Sequence, residues 1–335
     1  MFNRKSSVDI DDLEKTIAIL PFETLGQEDT TTYLHDAIPI ALILELQKIN
    51  GFIVRPRGST LKYKGTGLKS LEIGEQLNAN FLLKGYVQEQ ARNALIDIVF
   101  IKASTEEVIW NESFEMEIED IFQVRREISK QVATSLKNNF MPEEKNLTEN
   151  PDAYLAFLTG LKYTWKDDTE SNFLQAIMYS EKAVQLDPDF TEAYANISKA
   201  HSCIYHFHYD RSEARLNAAR NAIETAKEIE TENPELIFAE GIYSYVTHDF
   251  ETALSKYRSV EGQVFDNEEL NFYLACLYRR QMKLDKAIEY YLKGAEADPQ
   301  NSLFQLELGE TYMLIRNYIE AERYFNQYLL LGGNF

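Results

Sequence analysis

The sequence predicts an α+β domain, a mixed sheet with flanking helices, followed by an all-α array of helix pairs. Three observations support this fold class. The second half repeats every 34 residues, the first half mixes strand-like apolar runs with amphipathic helical segments, and a polar stretch with a proline separates them. The expected divisions are a tail at 1–14, the α+β domain at 15–140, a linker at 141–150 and the repeat domain at 151–335.

The bulk composition limits the class of protein. With 335 residues and 44% hydrophobic residues, the chain is long and apolar enough for two domains with real cores. A formal net charge of −20 argues against a nucleic-acid partner, which needs clustered basic residues. The two cysteines, Cys203 and Cys276, favour a reducing compartment.

No signal peptide or bilayer-spanning apolar run is visible in the sequence. We therefore expect no direct membrane insertion and favour a cytoplasmic location. A periplasmic location stays open if a targeting or membrane segment is missing from this chain.

Small residues recur at a fixed distance through the second half. The repeating alanines are Ala219, Ala253, Ala287 and Ala321, and a large residue follows each by four positions: Ile223, Tyr257, Tyr291 and Phe325. Small residues let two helices cross closely, and large ones fill the gap between neighbours. The pattern resembles the tetratricopeptide (TPR) repeat, a 34-residue helix pair. About five pairs are expected, near 153–188, 191–233, 234–267, 268–301 and 302–335.

The first half reads as strands and helices in the order β-α-β-α-β-β-β-α. "TIAILPF" and "GFIVRP" are short apolar runs typical of buried strands, and a helical pattern lies between them. "NFLLKGYVQ", "ALIDIVFIK" and "EVIWNESFE" are joined by short polar turns, which predicts an antiparallel meander. A final amphipathic helix closes the domain, so a mixed sheet with packed helices is expected.

The same stretch resembles TolB-like, also called FlgO-like, amino-terminal domains over about residues 15–138. The motifs that carry the resemblance are "IAILPF", "GFIVRPRGSTLKYKG", "IGEQLNANFLLKGYV", "IDIVFIKASTEEVIW" and "IEDIFQVRREI". The resemblance implies the non-catalytic portion of a bacterial signalling protein, often joined to a class III nucleotide cyclase, a kinase or a DNA-binding domain. One departure is Asp36-Ala37, where the family usually has Asp-Gly.

A basic loop at 55–69 contrasts with the acidic chain. Its glycines do not have the spacing of a phosphate-binding Walker A loop. The favoured interpretation is a structured surface connection. The alternative is a docking loop for an acidic partner or for the acidic repeat half, formed by Arg55, Arg57, Lys62 and Lys64.

No motif for catalysis is visible, so we assign no catalytic, cofactor-binding or metal-binding residues. The segment "HSCIYHFHYD" does contain zinc-ligand types, namely His201, Cys203, His206, His208 and Asp210. We expect it to be an aromatic-rich insertion between the two helices of the second repeat. Zinc binding is the less favoured alternative.

The concave face of the repeats is the surface most expected to bind a partner, because the first helix of each pair lines it. The predicted groove residues are Tyr154, Phe157, Leu161, Trp165, Phe238, Ile242, Tyr245, Phe272, Arg279, Arg280, Leu306 and Met313. The second unit is more polar there, with Glu192, Ala195, Lys199 and Ser202. An apolar groove with an arginine pair suits a helical or extended peptide. Filling of the groove by the chain's own linker or first domain is an equally open alternative.

These patterns favour a non-enzymatic bacterial interaction or sensory module whose partner is a protein or peptide. The rival is the regulatory portion of a larger signalling enzyme or regulator, with its catalytic or DNA-binding domain outside this chain. The end of the chain, "YFNQYLLLGGNF", has an apolar run where a repeat array normally has a polar cap. We expect further helices to follow it or a homo-oligomer to form through it.

Overall fold

The computed structural model describes residues 13–25, 34–90, 92–139 and 145–333. The chain divides into two compact units, Met1–Lys145 and Asn146–Phe335. The expected tail falls almost wholly outside the described residues, as do residues 141–144 of the expected linker. The α+β fold of the first unit and the all-helical fold of the second confirm the predicted fold class.

Within the described part of the first unit, six strands form one mixed sheet. They are β1 (Lys15–Ile19), β2 (Glu23–Thr24), β3 (Phe52–Val54), β4 (Phe81–Gln90), β5 (Asn93–Lys102) and β6 (Glu107–Glu117). The main strand order is β3-β1-β4-β5-β6, and β2 also pairs with β4. The pairs of β1 with β3 and with β4 are parallel, whereas β4-β5-β6 is the expected antiparallel meander.

The burial of the strands explains this arrangement. All residues of β1 after Lys15 are buried, as expected for a central parallel strand covered on both faces. Along β5, Ile96, Ile98 and Phe100 are fully buried and alternate with less buried residues. That period of two buries one face of the meander fully and leaves much of the other face half-buried.

Four α-helices pack in the described part of this unit: α1 (Leu34–Leu46), α2 (Arg57–Leu61), α3 (Ser70–Leu77) and α4 (Ile121–Ser135). A short 3₁₀ turn at Ile118–Asp120 leads into α4. The short strand β2 and the single-turn helix α2 are additions to the predicted order. Buried Glu45 of α1 and Arg125 of α4 lie 3.5 Å apart, which ties the two helices together.

The second unit consists, over residues 145–333, of five consecutive helix pairs. They are α5 (Pro151–Thr164) with α6 (Glu170–Leu186), α7 (Thr191–His206) with α8 (Glu213–Ile229), α9 (Pro234–Val246) with α10 (Phe250–Ser259), α11 (Asn267–Arg280) with α12 (Leu284–Ala297), and α13 (Ser302–Leu314) with α14 (Tyr318–Leu330). Side chains cap the starts of many of these helices. The side chains of Asn150 and Asn233, for example, accept hydrogen bonds from backbone N–H groups in the first turns of α5 and α9, which begin at Pro151 and Pro234. In neither unit is a described helix both long and apolar enough to cross a bilayer.

The 34-residue pattern has a direct packing cause. A Cβ atom added to Gly241 would lie 2.4 Å from the ring of Tyr257, which is fully buried. A Cβ atom on Gly309 would lie 2.5 Å from the ring of Phe325. The glycine of the first helix thus leaves the space that the ring of the second helix fills, and the helical unit has the TPR fold.

Candidate functional site

A cleft opens on the helical unit among its first four helix pairs. Helix α5 supplies apolar residues, and α7, α9 and the segment before α11 each supply both polar and apolar ones. The lining residues are Phe157, Leu161, Trp165, Glu192, Ala195, Asn196, Lys199, Glu235, Phe238, Ala239, Phe265 and Asp266. We call these residues the cleft.

Aromatic rings form much of the cleft's apolar part. Phe157 is almost fully buried, and its ring centroid lies 6.3 Å from that of Phe265. Phe238 is equally buried, whereas Trp165 at the end of α5 is half-buried. The contact of Phe157 with Phe265 joins the first helix pair to the segment that precedes the fourth.

The polar side of the cleft is an ordered set of carboxylates and one lysine. Lys199 forms an ion pair with Glu269 of α11, and its ammonium nitrogen lies 5.5 Å from the centre of the Phe238 ring. Glu235 Oε1 accepts a bond from the Phe265 backbone N–H at 2.5 Å. Glu192 Oε1 accepts a bond from Asn233 at 2.9 Å. These contacts fix the acids in place at the helix starts.

Burial changes the proton affinities in this region. Desolvation raises the pKa of Glu235 to about 8, and the nearby carboxylates of Glu192 and Asp266 add to the rise. Desolvation also raises the pKa of Glu269 to about 7, although the Lys199 ammonium opposes it. The Lys199 pKa is raised above its ordinary value, because attraction to Glu269 and Asp266 outweighs its burial. The cleft is therefore a place where negative charge is costly.

The structure brings only part of the predicted groove together. Phe157, Leu161, Trp165 and Phe238 line the cleft, along with Glu192, Ala195 and Lys199 of the polar second unit. Tyr154 and Ile242 are fully buried and Tyr245 is nearly so, so these three belong to the core of the array. Phe272 and Leu306 are half-buried and Met313 is exposed, and none of the three lines the cleft.

The predicted arginine pair makes contacts within the unit. Arg279 lies 2.5 Å from Glu307 and 3.3 Å from Glu310, both on α13 of the next pair. Arg280 lies over the Phe250 ring at 4.9 Å. The expectation of a partner-binding arginine pair did not include these contacts. Glu307 and Glu310 offset the charge of Arg279, whereas Arg280 lies against an aromatic ring and stays exposed.

The basic loop differs from the sequence-based interpretation. Arg55 and Arg57 are buried, so neither belongs to a surface connection or an exposed docking loop. Arg55 donates to the Asn78 carbonyl at 2.6 Å, and Arg57 donates to Asp36 at 2.9 Å. Lys62 and Lys64 are exposed. The two arginines are buried because internal acceptors compensate them, which a count of charges along the chain cannot show.

The histidine-rich segment is also placed differently from the prediction. Helix α7 runs to His206, so His201, Cys203 and His206 lie in the helix and not in an insertion. Cys203 and Ile204 are buried, which continues the apolar face of α7. His201 contacts Arg215 at 3.3 Å, and burial with this cation lowers the pKa of His201 to about 4. In the described segments, no group of three or more such residues is placed to hold a metal ion.

The last helix pair exposes several large apolar side chains. Ile319 is 80% exposed and Leu330 is 85% exposed, and Leu329 is also exposed. Leu331 is half-buried. Self-association through this end stays a prediction.

Sequence reasoning missed five residues that line the cleft: Asn196, Glu235, Ala239, Phe265 and Asp266. Helix α10 has only ten residues, and the irregular segment after it brings Phe265 to the cleft. The glycine in the segment "SVEGQVFDNEEL" was the sequence signal of this early helix end. In the structure Gly262 has a φ of +75°, which favours glycine. Glu235 follows the Asn-Pro helix start, where an acid normally indicates no more than a helix N-terminus.

Comparisons with known proteins give partial matches. Residues 13–131 match the family described as HilA/YgeH-like transcriptional regulator, second domain. A Rhizobium meliloti (strain 1021) protein named "Putative adenylate cyclase 3" is 25% identical over 188 residues, which are 55% of this chain. The chain spans about a third, 32%, of that relative's length. The resemblance to TolB-like domains is not confirmed by these matches.

Among solved structures, the chain is similar over about half of its length to several proteins, some of which are described as TPR proteins. Pseudomonas aeruginosa pilF has a TM-score of 0.44 and 18% identity, covering 55% of this chain and 78% of its own. TTC0263, a thermophilic TPR protein of Thermus thermophilus, has a TM-score of 0.40 and 18% identity, covering 57% and 93%. YrrB, described as a TPR protein with an unusual peptide-binding site, has a TM-score of 0.36 and 18% identity, covering 56% and 88%.

Proposed function

We propose that this chain is a non-catalytic module that binds a protein or peptide partner in the cleft of its TPR unit. The observation that carries the proposal is the cleft itself, in which half-buried Trp165 and buried rings lie beside fixed polar groups. Binding sites for extended or helical segments combine apolar anchors with a few placed polar groups in this way. No cofactor is part of the proposal.

Selection of peptides from a random displayed library on the immobilised full chain tests this function. We expect the wild type to enrich a peptide family, and Trp165→Ala to lose most of the affinity for it. Trp110→Ala is the matched control, because Trp110 is also half-buried but lies on β6 of the first unit. Failure to select any peptide, or equal loss in both variants with folding intact, would overturn the proposal.

A second candidate function is that of a regulatory portion within a larger bacterial signalling protein. The relative of which this chain spans a third bears the name of an adenylate cyclase, and the matching family model bears that of a transcriptional regulator. Under this function we expect the 335-residue chain to form no cyclic AMP from ATP with Mg²⁺ or Mn²⁺. Cyclic AMP formation by the purified chain, abolished by a substitution within it, would contradict the regulatory role.

We place either module in the cytoplasm, a location supported by its two cysteines. Cys203 and Cys276 are both buried free thiols. Burial raises the pKa of Cys203 above its ordinary value, which keeps the thiol protonated and unreactive. Such thiols are typical of proteins that work in a reducing compartment.

A further inference from the structure

The last helix, α14, has apolar side chains at two positions where earlier repeats have polar ones. Ile319 is 80% exposed and Leu330 is 85% exposed. The 34-residue period gives each of them equivalent positions on the second helices of the second to fourth pairs. Those positions hold exposed polar residues, namely Asn217, Glu251 and Asp285 for Ile319, and Glu228 and Glu296 for Leu330.

These two positions stay in solvent even where a following helix pair covers the helix. Helix α8 packs against α9 and α12 packs against α13, yet both positions are exposed on α8 and on α12. A further pair stacked on α14 in the same way would therefore leave Ile319 and Leu330 uncovered. Repeat stacking does not explain why these two residues are apolar.

Ile319 and Leu330 lie on one face of the helix. They are eleven positions apart, which is about three turns, so their side chains leave the helix in nearly the same direction about 16 Å apart. Glu322, Arg323 and Asn326 lie between them on this face, and all three are exposed. We call these five residues the outer face of α14. It has two apolar ends and a polar middle.

The order of residues along the outer face is self-complementary. Ile319 and Leu330 are equally far from its middle, and so are Arg323 and Asn326. In an antiparallel pair of α14 helices, Ile319 therefore meets Leu330 of the second copy, and Arg323 meets the amide group of Asn326 of the second copy. A parallel pair would place Glu322 against Glu322 and Arg323 against Arg323, which like-charge repulsion opposes.

The residues next to the outer face widen its apolar ends. Ile315 and Tyr318 lie at the start of α14 and are exposed, and so is Leu329 at its end. In an antiparallel pair the start of one helix lies beside the end of the other, so these side chains add to both apolar contacts. Exposed apolar residues gathered in this way indicate an interaction surface.

We propose that a second copy of this chain binds to the outer face of α14, through an antiparallel contact between the two α14 helices about a two-fold axis. Such a contact uses the same surface of both molecules and closes at two copies. The inference does not depend on the proposed peptide binding, because the outer face shares no residue with the cleft. A contact between two helices is smaller than a standard interface, so we expect a dissociation constant on the order of 10 µM.

Sedimentation velocity of the full chain, from about 1 to about 200 µM, tests the association. The variant is Ile319→Asp with Leu330→Glu, which gives α14 the residue types that α12 has at these positions. The matched control is Met282→Asp with Leu186→Glu, which makes the same replacements at apolar residues that are 70% and 40% exposed elsewhere in the unit. Circular dichroism checks that all three proteins fold.

The wild type and the control are expected to pass from monomer to dimer over this range. The dissociation constant of the variant should rise by about tenfold or more. A wild type that stays monomeric, species larger than a dimer, or equal weakening in the variant and the control would overturn the inference.

Cross-linking tests the direction of the contact. Ile319→Cys and Leu330→Cys are prepared as separate single variants and treated with a short bis-maleimide linker, alone and mixed. The natural Cys203 and Cys276 are buried, which protects them from the linker. We expect covalent dimers mainly in the mixture, because Ile319 faces Leu330 of the second copy. Dimers that form within each single variant and not between the two would overturn the antiparallel contact.

Discussion

Arg57 donates to Asp36 at 2.9 Å, and this bond joins α2 to the first turn of α1 inside the first unit. Both side chains are largely removed from solvent, with 5% and 14% of their surfaces exposed. Burial lowers the pKa of Arg57, and the Asp36 carboxylate opposes that shift. A buried ion pair costs most when one partner is removed, because the other charge is left uncompensated.

We therefore expect Asp36→Asn to lower the free energy of unfolding of the first unit by about 3 kcal/mol. Lys64→Gln, in the same basic stretch but exposed, should change it by less than about 0.5 kcal/mol. Urea unfolding followed by Trp110 fluorescence in a Trp165→Phe background reports on this unit alone. Similar losses for the two variants would show that Arg57 does not depend on Asp36.

The close approach of Gly241 to Tyr257 gives a prediction for the helical unit. Gly241→Val should destabilise it by about 2 kcal/mol or more, because the Tyr257 ring is fully buried and has no free space to move into. Ser255→Val places the same side chain on the exposed side of α10 and should cost under about 0.5 kcal/mol. Chemical unfolding followed by circular dichroism measures both, and equal stabilities would refute the packing argument.

The raised pKa of Glu235 predicts how stability changes with pH. Between its ordinary value of 4.5 and about 8, the folded state holds a proton on Glu235 that the unfolded state has lost. Stability from this group therefore falls as pH rises through 8. We expect Glu235→Gln to reduce the loss of stability between about pH 6.5 and about pH 9 and to be the more stable protein at the upper end. The unfolding midpoints of the wild type and the variant across this pH range measure the effect. The control is Glu181→Gln, which changes an exposed acid on α6. Parallel curves for the wild type and both variants would contradict the pKa shift.

The contacts of Arg279 predict a structural role. Arg279→Met and Glu307→Gln should show a coupling energy of about 1 kcal/mol in a double-mutant cycle of unfolding, because the pair is partly exposed. Peptide affinity should be unchanged in Arg279→Met, since Arg279 does not line the cleft. Loss of peptide affinity in Arg279→Met with stability intact would show that Arg279 belongs to the peptide-binding surface.

Residue spacing predicted the fold class well because packing imposes it locally. Gly241 and Tyr257 lie on consecutive helices, so their pairing leaves a fixed interval in the sequence. The antiparallel meander was equally predictable from the sequence, because its strands follow one another through short turns. Interactions within one repeat or one hairpin therefore produce a regular spacing of residues that can be recognised in the sequence.

The site was only partly predictable because its residues meet across distant parts of the chain. Lys199 and Glu269 are 70 positions apart, and no periodic rule links them. Arg57 looked like a surface charge because Asp36, its partner, lies on another helix. Tyr154 was predicted to line the groove because its position on the helix indicates which way the side chain points. That position does not show how completely neighbouring helices bury the side chain, and Tyr154 is fully buried.

The cleft is lined from α5 to the N-cap of α11, whereas the α13–α14 pair contributes nothing to it. In a repeat array each pair is held mainly by its neighbours, so the ends open locally without the middle. An occupant that touches the first four pairs at once would make them open together. Hydrogen exchange of backbone amides should then slow in concert through α5 to α11 when the cleft is filled, while α14 continues to exchange at its own rate.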